Sequence, residues 1–274
     1  MQYEGEPWLA ARKAIQGLAR GTPLAALGVR SSRTADIARI ARACGYQAIW
    51  VDLEHSTIPI DTAATICAAA LDIGLAPFVR IPEREYGVIG RLLDGGALAI
   101  IAPRVETVEE AEDIVAACRF PPLGHRSAIA TLAHAGFRKL PAAEFNLAMN
   151  EATVVKILIE SPRGIENIEA IAALTGVDLV GIGTNDLSAE LGVAGQHAHP
   201  SVRKAHEAAI SACRRAKKPL AIGGISDLAY GAELIRLGAA PFLFAGIDTD
   251  LLLGAARDRI AQALASLKPP SRTA

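Results

Sequence analysis

The chain has 274 residues, of which 51% are hydrophobic, and its 28 basic and 29 acidic residues leave a net charge of −1 at neutral pH. This hydrophobic content is enough for one large core, and α/β barrels of this length commonly form a single domain. The near-zero charge excludes the basic surface of a nucleic-acid-binding protein and a polybasic membrane-binding segment.

The cysteines and the absence of targeting signals indicate a cytoplasmic protein. The four cysteines have neither metal-ligand nor redox spacing, and unpaired cysteines are typical of a reducing compartment. No run is long and apolar enough to span a membrane. The first 20 residues lack the continuous apolar core of a signal peptide. We therefore expect no membrane partner and no nucleic-acid partner.

Eight short apolar runs predict β-strands. They lie at residues 23–29, 48–53, 76–81, 98–103, 154–159, 179–182, 219–222 and 241–244. Such nearly continuous apolar runs are typical of parallel strands that are buried on both faces.

Helical patterns fill the segments between these runs. They lie at about 7–20, 34–44, 108–118, 163–174, 202–216 and 251–267. Thr107 is a suitable N-cap for the third of them. A glycine that suits a helix C-cap follows several helices and precedes the next strand, at Gly45, Gly74, Gly96, Gly176 and Gly238.

Strands that alternate with helices eight times predict a parallel sheet that closes into a (β/α)8 TIM barrel, with residues 1–274 as one domain. The alternative is an open, doubly wound sheet, but no GxGxxG motif opens the first helix. Residues 120–150 are the one irregular region, and they are long enough to form a lid or an oligomer contact.

Polar residues follow most of the predicted strands. Because a barrel gathers the C-terminal ends of its strands on one rim, these residues are expected to converge there. They are Asp52, Glu54 and His55 after strand two, Arg80 after strand three, Arg104 after strand four, Glu160 after strand five, and Gly183, Thr184, Asn185 and Asp186 after strand six.

Glu160 and Asp186 are the candidate metal ligands. Each follows an apolar strand, and a buried carboxylate is costly unless it is paired or binds a cation. Two carboxylates that leave coordination positions open suit Mg²⁺ or Mn²⁺. The alternative is structural: Glu160 would pair with Arg80, and Asp186 would cap a helix.

His55 and Arg80 are the candidate catalytic residues. His55 lies beside Asp52 and Glu54, and a neighbouring carboxylate would orient the imidazole and raise its basicity for a general base. Arg80 would stabilise a carboxylate or an enolate oxygen. The alternatives are an ordinary polar histidine and a salt bridge from Arg80 to Glu54. A Schiff-base mechanism needs a lysine near the substrate, and it is disfavoured because the predicted strands contain only one lysine, Lys156, as a candidate.

In these residues the sequence resembles the class II pyruvate aldolases of the HpcH/HpaI group, from about residue 23 to 264. The segments that carry the resemblance are 50–55, 79–80, 91–97, 119–124, 159–160 and 183–188. The resemblance implies a barrel of the phosphoenolpyruvate/pyruvate type. It also implies a divalent cation (Mg²⁺, Mn²⁺ or Co²⁺), a 2-oxo acid and an aldehyde as substrates, and a homo-oligomer such as a hexamer or a trimer of dimers.

The resemblance also implies a role for each candidate residue. Glu160 and Asp186 are similar to the metal ligands, His55 to the base, and Arg80 to the residue that stabilises the enolate. Asp94 is similar to the carboxylate that tunes the histidine. The remaining substrate-binding candidates are Asp52, Glu54, Gly183, Thr184 and Asn185, with Asp186 shared between metal and substrate.

Three departures from the family pattern bear on substrate preference. They are Leu158 where a glutamine is frequent, Thr184-Asn185 where Pro-Ala or Pro-Asn is frequent, and Arg104 where Met or His is frequent. The expected reaction is reversible cleavage of a 4-hydroxy-2-oxo acid to pyruvate and an aldehyde. The alternatives are a citramalyl- or malyl-CoA-type lyase and a non-catalytic barrel that binds a metabolite.

Overall fold

Eight parallel strands alternate with helices in the computed structural model, which describes residues 6–129 and 131–267. The strands are β1 (Leu24–Val29), β2 (Ala48–Asp52), β3 (Ala76–Arg80), β4 (Ala99–Ala102), β5 (Val154–Ile159), β6 (Leu179–Gly183), β7 (Leu220–Gly223) and β8 (Phe242–Ile247). Every predicted strand is therefore present, with small shifts at the ends.

Eleven α-helices lie within the described residues. They are α1 (Ala10–Ala19), α2 (Asp36–Ala43), α3 (Ile60–Asp72), α4 (Ile89–Asp94), α5 (Val108–Cys118), α6 (Ala142–Ala152), α7 (Pro162–Ala173), α8 (Thr184–Glu190), α9 (Pro200–Arg215), α10 (Leu228–Leu237) and α11 (Asp248–Ser266). Thr107 caps α5 in a capping box with Glu110, as predicted for this threonine. None of these helices is long and apolar enough to cross a membrane.

The strands follow the order β7-β6-β5-β4-β3-β2-β1-β8, so each strand pairs with its neighbour in sequence and β8 pairs with β1. The first strand therefore lies inside the sheet, between the second and the last. This order curls the sheet into a nearly closed barrel, in which β7 and β8 are the two edge strands and lie next to each other without a ladder of hydrogen bonds. The predicted TIM barrel is confirmed, and the open doubly wound sheet is wrong.

Two hydrophobic clusters stabilise the barrel. One lies between the outer face of the strands and the surrounding helices. The other fills the interior of the barrel and continues to its N-terminal end, where Trp8 is fully buried and packs edge-on against Phe145. The N-terminal segment thus closes one end of the barrel, which leaves the C-terminal ends of the strands as the open rim.

The segment 120–150, predicted to be irregular, contains a short 3-10 turn at Ala133–Ala135 and most of α6. It connects α5 to the start of β5, so it lies at the N-terminal end of the barrel. Phe120 and Met149 are buried there in the same cluster as Trp8. A lid over the rim is therefore wrong, because this segment covers the opposite end. An oligomer contact stays a prediction.

Candidate active site

The buried carboxylate of Asp52 holds two arginine side chains at the C-terminal rim. Arg80 donates from Nε to Oδ1 (2.9 Å) and from Nη2 to Oδ2 (2.6 Å), and Arg30 donates from Nε to Oδ2 (2.6 Å). This pairing follows from the sheet register, which places Asp52 beside Arg80 at the ends of β2 and β3. Both guanidinium groups lie over the indole of Trp50, at 5.2 Å for Arg80 and 5.8 Å for Arg30.

Asp52 positions these arginines and does not face the solvent. Burial alone would raise the pKa of Asp52, but the hydrogen bonds and charge of Arg80 and the hydrogen bond of Arg30 outweigh burial and lower it. The side chain is 0% exposed and its oxygens are occupied by protein donors. The prediction that Asp52 contacts substrate is therefore wrong in this structure, because no part of its carboxylate is accessible.

The loop after β2 presents Glu54 and His55. Asp52 Oδ1 accepts hydrogen bonds from the backbone N–H groups of both residues, each at 3.2 Å, which turns the chain at the end of the strand. Glu54 Oε2 lies 2.9 Å from Arg80 Nη1, an ion pair whose geometry falls short of a hydrogen bond. His55 Nε2 lies 3.8 Å from the same oxygen, and the histidine side chain is 53% exposed. The imidazole therefore has a carboxylate neighbour and open access to the rim.

Arg80 makes the salt bridge to Glu54 that was considered as an alternative to catalysis. Its ion pairs among the described residues run to Asp52 and Glu54, and the alternative pairing of Arg80 with Glu160 is wrong. The arginine is 8% exposed. Its nitrogens are thus oriented by two acids, and its positive charge stays at the rim.

Glu160 is a buried carboxylate directly after β5. It is 3% exposed, and its Oε2 accepts a hydrogen bond from the backbone N–H of Arg104 at 3.0 Å. Burial raises the pKa of Glu160 to about 7, and the charges of Glu54 and Asp186 add to this rise. The Arg104 hydrogen bond and the charge of Arg80 oppose it without cancelling it. Glu160 thus lies in an electrostatic environment that favours either a proton or a cation.

Asp186 lies in the first turn of α8, where its side chain is exposed. Gly183 is the N-cap of this helix, so the alternative role of Asp186 as a cap is wrong. Thr184 is 0% exposed, and its hydroxyl is 3.1 Å from His206 Nε2. The threonine side chain therefore fixes the start of the helix from inside and cannot reach a substrate, while the exposed Asn185 faces Gly224.

The carboxylates of this rim fit a divalent cation. The charges of Glu54 and Asp186 both raise the pKa of Glu160, so these two acids lie close enough to Glu160 to disfavour its ionised form, and the charge of Arg80 does not cancel their effect. Glu54 Oε2 is also buried without a hydrogen-bond donor. Within residues 6–129 and 131–267, no group of three or more His, Cys, Asp or Glu is preassembled around one point. The arrangement therefore suits a cation held by two carboxylates, with water and substrate as the other ligands.

Asp94 is absent from the rim of its own chain. It is the last residue of α4, just before β4, and helices of a barrel end near the N-terminal ends of the strands. Its Oδ1 accepts a hydrogen bond from Arg126 Nη2 at 2.7 Å. The predicted pairing of Asp94 with His55 is therefore not made within one chain, since the two residues lie at opposite ends of the barrel.

Sequence reasoning missed Arg30 and assigned no role to Asp248, although Asp248 follows the eighth predicted strand. Arg30 follows β1 directly, so a search for polar residues at strand ends finds it once strand one is included. Asp248 follows β8 and accepts hydrogen bonds from the backbone N–H groups of Arg30 (3.0 Å), Ser31 and Ser32 (2.7 Å). Burial raises the pKa of Asp248, but these N–H donors outweigh burial and lower it. Asp248 thus fixes the loop that carries Arg30.

A barrel whose rim combines carboxylates with fixed guanidinium groups is suited to an enzyme that binds small anionic substrates and stabilises negative charge. Comparison with known proteins makes this class specific. The family described as HpcH/HpaI aldolase/citrate lyase matches residues 30–255, and the chain belongs to this family. The family resemblance predicted from the sequence is confirmed. The chain is therefore an aldolase, a carbon–carbon lyase, of a family that depends on a divalent metal ion.

Individual relatives support this assignment. The chain is 36% identical over 243 residues to a 4-hydroxy-4-methyl-2-oxoglutarate aldolase of Chaetomium globosum, covering 88% of this chain and 90% of that protein. It is 33% identical over 246 residues to a 2-keto-3-deoxy-L-rhamnonate aldolase of Salmonella typhimurium, covering 90% and 91% of the two chains. The crystal structure of an HpcH/HpaI aldolase from Desulfitobacterium hafniense superposes with a TM-score of 0.85 at 27% identity, covering 94% and 98%.

Proposed function

We propose that this aldolase cleaves a 4-hydroxy-2-oxo acid to pyruvate, or a related 2-oxo acid, and a carbonyl product, with Glu160 and Asp186 as the ligands of a divalent cation. The observation that carries the proposal is the buried Glu160, whose pKa is raised to about 7 by burial and by neighbouring acids. Both relatives compared above are named for the cleavage of 2-oxo acids. Two neighbours named citrate lyase are only 16% and 15% identical to the chain, so they do not favour the thioester-lyase alternative.

The chain's own residues supply proton transfer and charge stabilisation. When bound, the cation supplies Lewis-acid polarisation of the keto group. His55 is the candidate base that takes the proton of the 4-hydroxyl group as the C3–C4 bond breaks and the electron pair moves toward C2. Its carboxylate neighbour is Glu54, 3.8 Å from Nε2, which replaces Asp94 as the group that orients the ring within one chain. Arg80, oriented by Asp52, stabilises the negative charge that develops on the 2-oxo acid.

The test measures pyruvate release from a panel of 4-hydroxy-2-oxo acids with Mg²⁺, Mn²⁺ or Co²⁺ and with excess EDTA. The expected result is turnover that depends on metal and is abolished by chelation. Glu160→Ala and Asp186→Ala should lose Mn²⁺ affinity and turnover, whereas the matched control Glu166→Ala, on the exposed face of α7, should retain both. Unchanged turnover in EDTA, or unchanged Mn²⁺ affinity in both rim variants, would contradict the metal site.

We also infer that the chain assembles as a homo-oligomer through its C-terminal helix. None of the residues of α11 is buried within the chain. Its large apolar side chains are instead exposed, among them Leu252 (69%), Leu253 (58%) and Leu264 (58%). A patch of this kind on a monomer typically marks an interface. A second copy of this chain is the expected partner, because the resemblance to the family implies a homo-oligomer.

A further inference from the structure

Arg30 is fixed at the rim by contacts at both ends of the residue. Its backbone N–H donates to Asp248 Oδ1 at 3.0 Å, and its side-chain Nε donates to Asp52 Oδ2 at 2.6 Å. The guanidinium group also lies 5.8 Å from the centre of the Trp50 ring. Asp52 is itself held by Arg80, so it is a rigid anchor. The Arg30 guanidinium is therefore preorganised before any ligand binds.

Arg30 differs from Arg80 in how many of its guanidinium nitrogens are free to bind a ligand. Arg80 has all three nitrogens against Asp52 and Glu54, and its side chain is 10% exposed. The side chain of Arg30 is 30% exposed, and among the described residues its only hydrogen bond runs from Nε. Nη1 and Nη2 form the outer edge of the guanidinium group. Two parallel N–H groups on this edge match the two oxygens of a carboxylate.

Other arginines near the rim are already engaged. Arg33 donates to the backbone carbonyls of residues 30–32 and to Thr57. Arg104 pairs with Glu190 at 2.5 Å, and Arg84 lies 3.7 Å from Glu110. Arg30 is thus the partly exposed arginine of this rim whose outer edge has no protein acceptor within the described residues.

Arg30 also stands on the far side of the barrel mouth from Glu160. In the strand order, β1 is separated from β5 by β2, β3 and β4, so the two strands face each other across an eight-stranded ring. If a 2-oxo acid is held at Glu160 and Asp186, as the proposed function requires, its remote end points across the mouth. A positive, bidentate donor on that side selects a remote group that is negative and planar.

We propose that Arg30 is a specificity-determining residue that binds a distal carboxylate of the substrate. The substrate class is then a 4-hydroxy-2-oxo dicarboxylic acid, whose cleavage gives a 2-oxo acid and a carbonyl compound that itself carries a carboxylate. This inference rests on the proposed function for the orientation of the substrate. The contacts of Arg30 itself do not depend on that function.

The first experiment measures binding without cleavage, using two 2-oxo acids of equal chain length that lack a 4-hydroxyl group. They are 2-oxoglutarate, which has a distal carboxylate, and 2-oxopentanoate, which has a methyl group there. With Mn²⁺ present, calorimetry should give roughly 10- to 100-fold tighter binding of 2-oxoglutarate by the unmodified protein, the range expected for hydrogen bonds to a charged group. Arg30→Gln should remove this preference, and Arg30→Lys should restore part of it.

The ratio of the two affinities separates recognition from structural damage. Loss of Arg30 also removes one partner of Asp52, and a structural effect of this kind would weaken both acids equally and leave the ratio unchanged. The control Arg33→Gln, in the same loop, should keep the ratio of the unmodified protein. The proposal is overturned if the unmodified protein binds both acids equally, if it binds neither, or if the preference survives in Arg30→Gln.

The second experiment compares turnover of a 4-hydroxy-2-oxo dicarboxylate with that of the corresponding monocarboxylate. In Arg30→Gln, the ratio of kcat/KM values should fall by the same factor as the ratio of affinities. Absence of any pyruvate release, combined with a 2-oxoglutarate preference that depends on Arg30, would refute the proposed function and leave the carboxylate site standing. Normal turnover, combined with a ratio that does not depend on Arg30, would refute the carboxylate site and leave the proposed function standing.

Discussion

Gly183 leaves the space that Glu160 occupies. A Cβ atom at position 183 would lie 2.1 Å from Oε1 of Glu160, which is too close for carbon and oxygen atoms that are not bonded to each other. The two residues are neighbours because β5 and β6 pair with Ile159 beside Ile182, so that the next residues face each other at the rim. The glycine that ends β6 is thus part of the architecture of the candidate metal site.

We predict that Gly183→Ala displaces the Glu160 carboxylate and lowers Mn²⁺ affinity by at least roughly 10-fold, the loss of about 1.4 kcal/mol. The backbone of Gly183 has φ −92°, which alanine adopts readily, so the effect is steric and local. The control is Gly90→Ala in α4, where an added Cβ meets nothing within 4 Å. Calorimetric titration with Mn²⁺ checks both variants. An affinity equal to that of the unmodified protein would show that Glu160 is not a ligand in this position.

We predict that His55→Ala retains the metal and loses roughly 10²- to 10⁴-fold in kcat, the usual contribution of a positioned general base. The side chain is 53% exposed, and its ion pair within the described residues is with Glu54, so its removal should not unfold the protein. His125→Ala is the matched control, since His125 is exposed in the segment at the N-terminal end of the barrel. Mn²⁺ titration and steady-state pyruvate release distinguish the two effects. Turnover of His55→Ala at the normal rate would remove His55 from the mechanism.

The barrel and part of its rim were predictable because they depend on local pattern. Apolar runs followed by polar residues revealed both the strands and the positions of Glu160 and Asp186. The hydrogen bonds that Asp52 accepts from Arg30 and Arg80 were not predictable in this way. They depend on the register of β2 against β3, which no single segment of the sequence determines. For the same reason Asp52 was expected to meet substrate and is instead fully buried.

Two further differences have simple physical origins. Asp94 precedes a strand, so its place at the opposite end of the barrel follows from topology, whereas resemblance placed it beside His55. Helix α6 lies in a segment rich in proline and glycine, and its buried face is short. Its spacing of Phe145, Met149 and Ala152 is helical, but it packs on the N-terminal segment rather than on a predicted strand.

The exposed face of α11 should be an oligomer interface. We predict that Leu252→Lys combined with Leu264→Lys lowers the mass measured by light scattering to that of a smaller oligomer or of the monomer, because burying a charge in an apolar interface is costly. The control is Leu228→Lys, whose leucine is 87% exposed on α10 and should not affect assembly. A monomeric mass for the unmodified protein, or an unchanged mass for the double variant, would contradict assembly through α11.

Lys156 is a buried amine below the rim, and its environment predicts how stability depends on pH. Its Nζ lies 4.7 Å and 4.6 Å from the ring centres of Phe242 and Phe244. Burial lowers the pKa of Lys156 from its ordinary value of 10.5 to about 7; the charge of Arg80 lowers it further, and Glu160 opposes this. Because it is enclosed in the interior of the barrel, Lys156 is poorly placed to form a Schiff base with a substrate at the rim.

A lowered pKa means that the folded protein binds fewer protons than the unfolded chain between pH 7 and 10.5. The stability associated with the neutral amine is therefore present above pH 10.5 and is lost as the pH falls toward 7. We predict that Lys156→Met raises the melting temperature, and that the gain is larger at about pH 6.5 than at about pH 10. Melting curves of both proteins at the two pH values check this sign. A gain that is equal at both values, or larger at the alkaline one, would show that Lys156 does not carry a buried charge near neutral pH.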